Sequence, residues 1–231
     1  MRSLCLLLLF PSFFSELPAA NAADDEATLL AFKAAAVGGN ADVLASWNGS
    51  SDGGYCSWEG VRCRGRHRRV VALSLPSQGH TGVLSPAIGN LSSLRTLDLS
   101  SNGLSGNIPE SLGRLAHLHS LDLSSNAFSG LVPANLSSCI SLVIMELSWN
   151  QLSGRVPSEF GNKLTRLGIL GLLNNSLTGS IPASLGNMSS LSALGLASNQ
   201  LKGAIPASLG ALKDLQNLAL GFNNLYGSPA C

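Results

Sequence analysis

The stretch Arg95-Thr-Leu-Asp-Leu-Ser-Ser-Asn102 returns 24 residues later, with two changes, as His119-Ser-Leu-Asp-Leu-Ser-Ser-Asn126. Alignment on this Leu-x-Leu pair gives seven units, each ending in a polar residue: Gln78, Asn102, Asn126, Asn150, Asn175, Asn199 and Asn223. Successive units are 24 residues apart, except for one spacing of 25. A glycine follows each polar residue by four positions, and Ile-Pro or Val-Pro follows in five units. Three features in register over seven units predict an array of stacked repeats.

Each repeated feature has a structural role. Leu-x-Leu alternates apolar and polar residues, which predicts a short strand with its leucines facing inward. Strands of successive repeats would then stack in parallel, about 4.8 Å apart. The asparagine side chain both donates and accepts hydrogen bonds, so it can satisfy backbone groups where the chain leaves the strand. Glycine allows a tight bend there, and proline is tolerated only away from the main sheet.

The composition agrees with a repeat array. Of 231 residues, 44 are leucine, 45% are hydrophobic and only 12% are charged, with a net charge of +1. Such a chain buries too much apolar surface to be disordered. Its near-zero net charge gives no electrostatic reason to expect a nucleic-acid partner. Beyond the N-terminal segment no stretch approaches 18 uninterrupted apolar residues, so we expect no direct membrane span.

The N-terminus has the pattern of a secretory signal peptide. Met1-Arg2 begins a short basic region, and residues 4–14 form an apolar run too short to cross a bilayer. Ala20-Asn21-Ala22 supplies the small residues that a signal peptidase reads. We predict a signal peptide at residues 1–22, with cleavage after Ala22 or, alternatively, after Ala23.

Four cysteines remain after this cleavage. Cys56 and Cys63 are seven residues apart, and in an oxidising compartment such a pair predicts a small disulfide. A metal site is disfavoured, because no second Cys or His pair stands at a ligand spacing. Cys139 lies among apolar neighbours and is expected to be a buried thiol, whereas Cys231 has no evident partner.

The repeat Leu-x-x-Leu-x-Leu-x-x-Asn-x-Leu-x-Gly-x-Ile-Pro resembles the plant-type leucine-rich repeat over residues 70–227. The segments Glu26-Ala-Thr-Leu-Leu-Ala-Phe-Lys33, Leu44-Ala-Ser-Trp47-Asn48 and Cys56-x-Trp58-x-Gly60-Val61-x-Cys63 are similar to the N-terminal cap of plant leucine-rich-repeat receptor kinases. The resemblance implies an α/β solenoid: a right-handed superhelix with a parallel concave β-sheet, a 3₁₀ or irregular convex face and a helical cap. It divides the chain into a cap at 23–69 and about seven repeats at 70–231, the last incomplete.

The cap is expected to begin with a helix. Asp24 or Asp25 would be its N-cap, and Gly38-Gly39 would end it after about Val37. A terminal repeat needs a cover over its open end. The residues expected to provide it are Leu29, Leu30, Phe32, Val37, Trp47 and Trp58.

Outward-facing strand residues are the best guide to function. The position between the two leucines holds Ser74, Asp98, Asp122, Glu146, Gly171, Gly195 and Ala219. Three carboxylates in line invite comparison with glycosidases, but an active site needs convergent groups and an enclosed pocket, so we expect no enzyme and no cofactor.

Three positions further on, one per repeat, the column reads Ser77, Ser101, Ser125, Trp149, Asn174, Ser198 and Phe222. Trp is enriched at binding hot spots, although Trp149 could instead pack along the sheet edge. The candidate partner-binding face is Asp98, Asp122, Glu146, Trp149, Leu173 and Phe222.

A basic run follows the predicted disulfide: Arg62, Arg64, Arg66, His67, Arg68 and Arg69. It could bind polyanions, but a solvated hairpin tip is the commoner explanation. His117 and His119 have no partner ligand, so no metal is inferred. Asn-x-Ser sequons at Asn48, Asn90, Asn135, Asn174 and Asn187 predict glycosylation in a secreted chain.

The resemblance implies recognition of a protein or peptide ligand on the concave face, in plant defence or developmental signalling. A receptor kinase would be the co-receptor, and the chain would be extracellular or held at the cell surface by that receptor. Because we find no span and no kinase signature, three interpretations stay open: a soluble receptor-like protein or co-receptor fragment, a secreted inhibitor of microbial wall-degrading enzymes, or the truncated product of a longer receptor gene. The incomplete last repeat, ending near Pro229 and Cys231, predicts end-to-end self-association.

Overall fold

The computed structural model of the chain describes residues 22–38, 44–48 and 53–227. The predicted signal peptide, apart from Ala22, lies outside this part of the chain, as do Pro229 and Cys231.

The described residues form two parallel sheets joined by short helical turns. In chain order the strands are β1 (Val61–Arg64), β2 (Arg69–Ser74), β3 (Thr96–Asp98), β4 (Ser105–Asn107), β5 (Ser120–Asp122), β6 (Ala127–Leu131), β7 (Ile144–Glu146), β8 (Gln151–Gly154), β9 (Ile169–Gly171), β10 (Ser176–Gly179), β11 (Ala193–Gly195), β12 (Gln200–Ala204), β13 (Asn217–Ala219) and β14 (Asn224–Tyr226). The first sheet has the order β1-β2-β3-β5-β7-β9-β11-β13, and the second β14-β12-β10-β8-β6-β4. Only the β1–β2 pair, which joins the cap to the first repeat, is antiparallel among the described strands. This is the solenoid expected from the repeat.

The first sheet consists of the Leu-x-Leu segments, as predicted. Leu97, Leu121, Met145, Leu170 and Leu194 pair in register on neighbouring strands, and each is at most 1% exposed. Burial of one such side chain contributes about 1.5–3 kcal/mol. The leucines of adjacent repeats bury one another, so the array is stable only as a stack.

The asparagines satisfy the backbone as expected, and they also link adjacent repeats. Asn126 Nδ2 donates to the carbonyl oxygens of Leu123 and Ser124 in its own repeat, at 3.2 and 3.1 Å, and to that of Leu99 in the preceding repeat, at 2.9 Å. Its Oδ1 accepts from Leu104 N at 3.0 Å. The same arrangement recurs at Asn150, Asn175, Asn199 and Asn223.

The second sheet is a feature that the sequence interpretation did not include. It forms just after each asparagine, where a bend was expected at glycine. The glycines instead lie in or at the ends of the strands, with φ of +75° at Gly106 and +76° at Gly130. The apolar residue of these segments, such as Phe128 or Leu152, is fully buried between the sheets, except Leu225 on β14, which is partly buried.

Short helical turns complete each repeat on the side away from the first sheet. The 3₁₀ turns in the repeats are Pro86–Asn90, Glu110–Arg114, Ala134–Ser138, Ala183–Asn187 and Ala207–Ala211; another, Gly54–Ser57, lies in the cap. The fourth repeat has a short α-helix here, α2 (Glu159–Lys163). This is the unit with the spacing of 25, and an α-helical turn holds more residues than a 3₁₀ turn, so the extra residue is accommodated in α2.

The cap helix α1 spans Ala22–Ala36, so it begins before Asp25 and ends one residue before the predicted Val37. Neither Asp24 nor Asp25 is therefore the N-cap. Its carboxylate is fully buried and accepts hydrogen bonds from Arg69 Nε (2.9 Å), Arg69 Nη2 (2.8 Å) and Val70 N (2.8 Å). Asp25 fastens the helix to the first strand of the repeats.

The cover of the first repeat is apolar and aromatic, as expected, with one correction. Phe32, Trp47 and Trp58 are buried, and the two indoles stack with centroids 5.2 Å apart. Leu30, however, is 43% exposed and takes no part in the cover. At Gly82 the repeat backbone approaches the helix so closely that a Cβ would overlap the Ala35 carbonyl.

The Cys56–Cys63 disulfide is present, with Cα atoms 5.6 Å apart, and it ties the cap's 3₁₀ turn to β1. We expect the double substitution Cys56→Ser/Cys63→Ser to lower the free energy of unfolding by about 2–3 kcal/mol, as a loop of this size predicts. Urea denaturation of the secreted protein measures this effect, and Cys139→Ser is a matched control at a buried thiol outside the cap. Peptide mapping that finds both cap thiols free in the secreted wild type would contradict the prediction.

The buried thiol expected at Cys139 is confirmed. Cys139 is fully buried, its Sγ lies 3.2 Å from the Leu112 carbonyl oxygen, and burial raises its pKa to about 11.

At the far end of the first sheet, Leu218 on β13 is 37% exposed, whereas Leu194, its equivalent on the preceding strand, is 1% exposed. The last strand of the first sheet therefore shows apolar surface.

Candidate ligand-binding face

The predicted outward column lies in register across the first sheet. Asp98 pairs with Asp122, and Asp122 with Glu146, on β3, β5 and β7. The next strands carry small residues at this position: Gly171, Gly195 and Ala219. The face therefore has an acidic part and a part without outward side chains.

The two aspartates each accept hydrogen bonds from both the backbone and the side chain of the serine two positions further on. Asp122 Oδ1 accepts hydrogen bonds from Ser124 N at 2.9 Å and from Ser124 Oγ at 2.6 Å. Asp98 Oδ1 makes the same pair of contacts with Ser100, at 3.1 and 2.8 Å. These bonds occupy part of each carboxylate's accepting capacity and hold it in place, which is a structural role within the repeat.

Glu146 is different because its longer side chain leans over the neighbouring strand. A Cβ on Gly171 would overlap the Glu146 carboxylate, so the glycine makes room for it. Ser148 Oγ donates to Glu146 Oε2 at 3.1 Å. Burial raises the pKa of the Glu146 carboxyl, the charge of Asp122 raises it further, and the hydrogen bond from Ser148 opposes the rise. Such a carboxylate gains stability when a cation or a hydrogen-bond donor approaches.

Glu146 borders a shallow depression of about 170 Å³ on the concave face. Its floor is formed by the small residues Gly171, Gly195 and Ala219, and Leu173 is one of its walls. Sites for drug-sized ligands are about 300–1,000 Å³, so this depression suits one side chain of a larger partner. The run of small residues in the outward column is the sequence feature that indicates this depression. Gly171, Gly195 and Ala219 were not among the predicted residues of the binding face.

The column of residues three positions beyond the acidic one, which we call the rim column, has an unusual backbone conformation in every repeat. Its members are Ser77, Ser101, Ser125, Trp149, Asn174, Ser198 and Phe222. Its seven residues all adopt left-handed φ values, between +52° and +59°. Trp149 is held there because its N–H donates to the Leu173 carbonyl at 2.8 Å and its own carbonyl accepts from Asn126 N at 3.1 Å. Left-handed backbone is disfavoured for large side chains, so an aromatic residue here needs a reason beyond packing.

The two aromatic members of the column are exposed and flank the depression. Trp149 is 59% exposed and Phe222 is 88% exposed. They are separated by three strand spacings, about 14 Å. The exposed part of Trp149 is available to a partner, whether or not the remainder of the indole packs along the sheet edge. The six candidate residues all lie on this face, but Asp98 and Asp122 are the more distant from the depression.

All five sequon asparagines, Asn48, Asn90, Asn135, Asn174 and Asn187, are exposed. Asn90 and Asn187 end 3₁₀ turns, away from the first sheet, whereas Asn174 lies in the rim column between Trp149 and Phe222. Glycosylation at these positions stays a prediction.

The described residues contain neither a metal-binding cluster nor a membrane-spanning helix. No group of three or more His, Cys, Asp or Glu side chains is arranged to hold a metal ion in the part of the chain that the structure describes. None of the helices found there has the length and apolar character needed to cross a membrane.

Comparison with known families gives two matches. Residues 22–64 match the family "Leucine rich repeat N-terminal domain", and residues 69–128 and 92–152 match the family "Leucine rich repeat". Among curated proteins, the chain is similar to the receptor kinase-like protein Xa21 of Oryza sativa subsp. japonica, at 48% identity over 80 residues. That match spans 33% of this chain and only 8% of the relative.

Solved structures give matches over most of the chain. A plant ice-binding protein has a TM-score of 0.79 and 32% identity, covering 90% of this chain and 66% of that one. The Arabidopsis receptor kinase HAESA, in complex with the peptide hormone IDA and the co-receptor SERK1, has a TM-score of 0.77 and 36% identity, covering 85% and 33%. The BIR3–SERK2 complex of Arabidopsis thaliana has a TM-score of 0.65 and 31% identity, covering 87% and 95%.

Proposed function

This chain belongs to the plant leucine-rich-repeat family of receptor kinase ectodomains, and we propose that its concave face recognises a peptide or protein segment outside the cell. The observation that carries the proposal is the depression beside Glu146, flanked by the exposed aromatic residues Trp149 and Phe222. One ligand side chain would enter the depression, and the rest of the segment would lie against the aromatic rim. Glu146 favours a ligand group that donates hydrogen bonds or carries positive charge.

The similarity to HAESA supports this assignment, because that protein is seen in complex with a peptide hormone and a co-receptor. For this chain we propose a peptide ligand on the concave face and a receptor kinase as partner. Catalysis is not part of the proposal. The depression is shallow and open, and Glu146 is the one carboxylate that lines it.

The alternative is a secreted inhibitor of microbial wall-degrading enzymes. The exposed rim aromatics favour it equally, since Trp and other aromatics anchor protein–protein interfaces as well as peptide complexes. Inhibition of a pectinase by the purified chain would support this alternative over peptide recognition.

A substitution that fills the depression tests the proposal. Peptides are first selected from a displayed random library on the wild-type chain, and their affinities are then measured for Ala219→Trp and for Ala211→Trp. Both alanines are exposed, but Ala219 lies in the floor of the depression and Ala211 ends a 3₁₀ turn elsewhere. We expect Ala219→Trp to weaken binding about tenfold or more, which is the loss of one well-placed contact, and Ala211→Trp to leave it unchanged. Equal binding by both variants would place the ligand elsewhere.

A further inference from the structure

The β1–β2 hairpin and the neighbouring edge of the first sheet carry a second, cationic surface. Its members, which we call the cationic edge, are Arg64, Arg66, His67, Arg95 and His117. They line a depression of about 380 Å³ together with Arg69 and a few uncharged residues, and no carboxylate lies among its lining residues. The chain as a whole has a net charge of only +1, so this concentration of positive charge is local.

The arginines of the cationic edge are available to a partner. Arg69 is the exception, because it is paired with the buried carboxylate of Asp25 and serves the fold. Arg64, Arg66 and Arg95 are exposed, and within the described residues their guanidinium groups have no hydrogen-bond or ion-pair partner. Three neighbouring unpaired guanidinium groups repel one another and are stabilised by an anion.

The β1–β2 hairpin, which carries Arg64 and Arg66, is anchored by strand pairing, a disulfide and a side-chain hydrogen bond. Strands β1 and β2 are paired over four residues, and the Cys56–Cys63 disulfide anchors β1. Tyr55 Oη donates to the carbonyl oxygen of Arg68, at the base of the hairpin tip, at 2.9 Å. Because the cluster is already ordered, it loses little conformational entropy on binding. A flexible basic tail would lose more.

The shape of the cationic edge favours an extended ligand. The cationic edge extends across several strands of the first sheet: Arg64 ends β1, Arg95 precedes β3 and His117 precedes β5, and adjacent strands are about 4.8 Å apart. The unpaired arginines therefore lie along the sheet edge and do not converge on one point. On the other side of the hairpin, Glu26 lines the adjoining depression, so the uncompensated charge is on the sheet side.

The chemistry of the cationic edge narrows the class of partner. Among its lining residues, none is an exposed large hydrophobic side chain, and the aromatic rings are the imidazoles of His67 and His117. It therefore lacks the large apolar anchors that insert into a bilayer or hold a peptide. Guanidinium groups bind carboxylates in a bidentate manner without such anchors.

We infer that the cationic edge binds an acidic polysaccharide, a linear polymer with regularly spaced carboxylates. Each carboxylate would take one or two of the unpaired guanidinium groups, and the polymer would run along the sheet edge from the hairpin towards β5. This site is separate from the depression at Glu146: its arginines lie on β1, in the β1–β2 turn and before β3, and Glu146 lies on β7, two strands beyond β3. The chain could thus be held on a polymer while its concave face stays free for a ligand.

The test compares two variants of equal charge. Arg64→Gln/Arg66→Gln/Arg95→Gln removes the cationic edge, and Arg155→Gln/Arg166→Gln/Lys213→Gln removes three exposed charges elsewhere. Binding to polygalacturonate is measured from about 50 to 200 mM salt, with neutral dextran as the blank. We expect the wild type and the control variant to bind polygalacturonate in a salt-dependent manner. The edge variant should bind about tenfold or more weakly, with a shallower dependence on salt, because fewer counterions are released.

Equal binding by the two variants, or no binding by the wild type at low salt, would overturn the inference. So would tighter binding of the wild type to vesicles of anionic lipid or to single-stranded DNA than to polygalacturonate. The Ala219→Trp variant is expected to bind polygalacturonate normally, and the edge variant is expected to bind the selected peptides normally. Failure of one proposal is therefore distinguishable from failure of the other.

Discussion

Replacement of Asp25 by alanine should lower the free energy of unfolding by about 3–5 kcal/mol, the range for breaking a buried ion pair by removing one partner. Asp25 is fully buried and accepts three hydrogen bonds, two from the Arg69 guanidinium and one from Val70 N. Its removal leaves a largely buried cation and a buried N–H without their acceptor. Arg69 retains 16% side-chain exposure and donates to Ser92 Oγ as well, which moderates the loss.

Urea denaturation of Asp25→Ala measures the effect, with Asp214→Ala as the matched control at an exposed aspartate. The double variant Asp25→Ala/Arg69→Met should recover part of the loss, since it removes both charges together. A change in Asp25→Ala no larger than that in Asp214→Ala would show that Asp25 does not fasten the cap helix.

The first sheet and the asparagine contacts were predictable because a short local sequence pattern determines them in every repeat. Alternation of Leu-x-Leu fixes which side chains face inward, and one asparagine position per repeat fixes where the chain leaves the strand. Seven copies of one pattern also average out local exceptions such as Met145, which replaces a leucine in the column. Residues such as Trp149 and Phe222 could be placed on the surface by counting positions.

The remaining features depend on contacts that no local pattern encodes. The Arg69–Asp25 pair joins residues 44 positions apart, so the aspartate was interpreted as a helix cap from its neighbours alone. The second sheet forms because successive repeats bring Asn-x-Leu-x-Gly segments side by side, and a single segment is too short to indicate a strand. The depression exists only because Gly171, Gly195 and Ala219 fall on adjacent strands beside the longer Glu146.

Replacement of Trp149 by asparagine should move affinity and stability in opposite directions. A hot-spot aromatic contributes about 2–4 kcal/mol to binding, so the affinity for the selected peptides should fall about 30- to 1,000-fold. The same substitution should raise the free energy of unfolding by about 1 kcal/mol, because asparagine tolerates the left-handed backbone that Trp149 adopts at φ +59°. Trp149 is 59% exposed, so its substitution loses less packing than that of a core aromatic residue, and the gain in stability holds only where relief of the left-handed backbone exceeds this loss.

Ser125→Asn is the matched control, because Ser125 is exposed in the same column with φ +54° and carries no aromatic ring. Neither substitution creates an Asn-x-Ser or Asn-x-Thr sequon, since position 151 is Gln and position 127 is Ala. Peptide titration and urea denaturation are carried out on both variants, and only Trp149→Asn should lose affinity. If Trp149→Asn bound the peptides as well as Ser125→Asn does, the strained tryptophan would have no role in recognition. A loss of both affinity and stability would mean that the indole supports the sheet, which its exposure argues against.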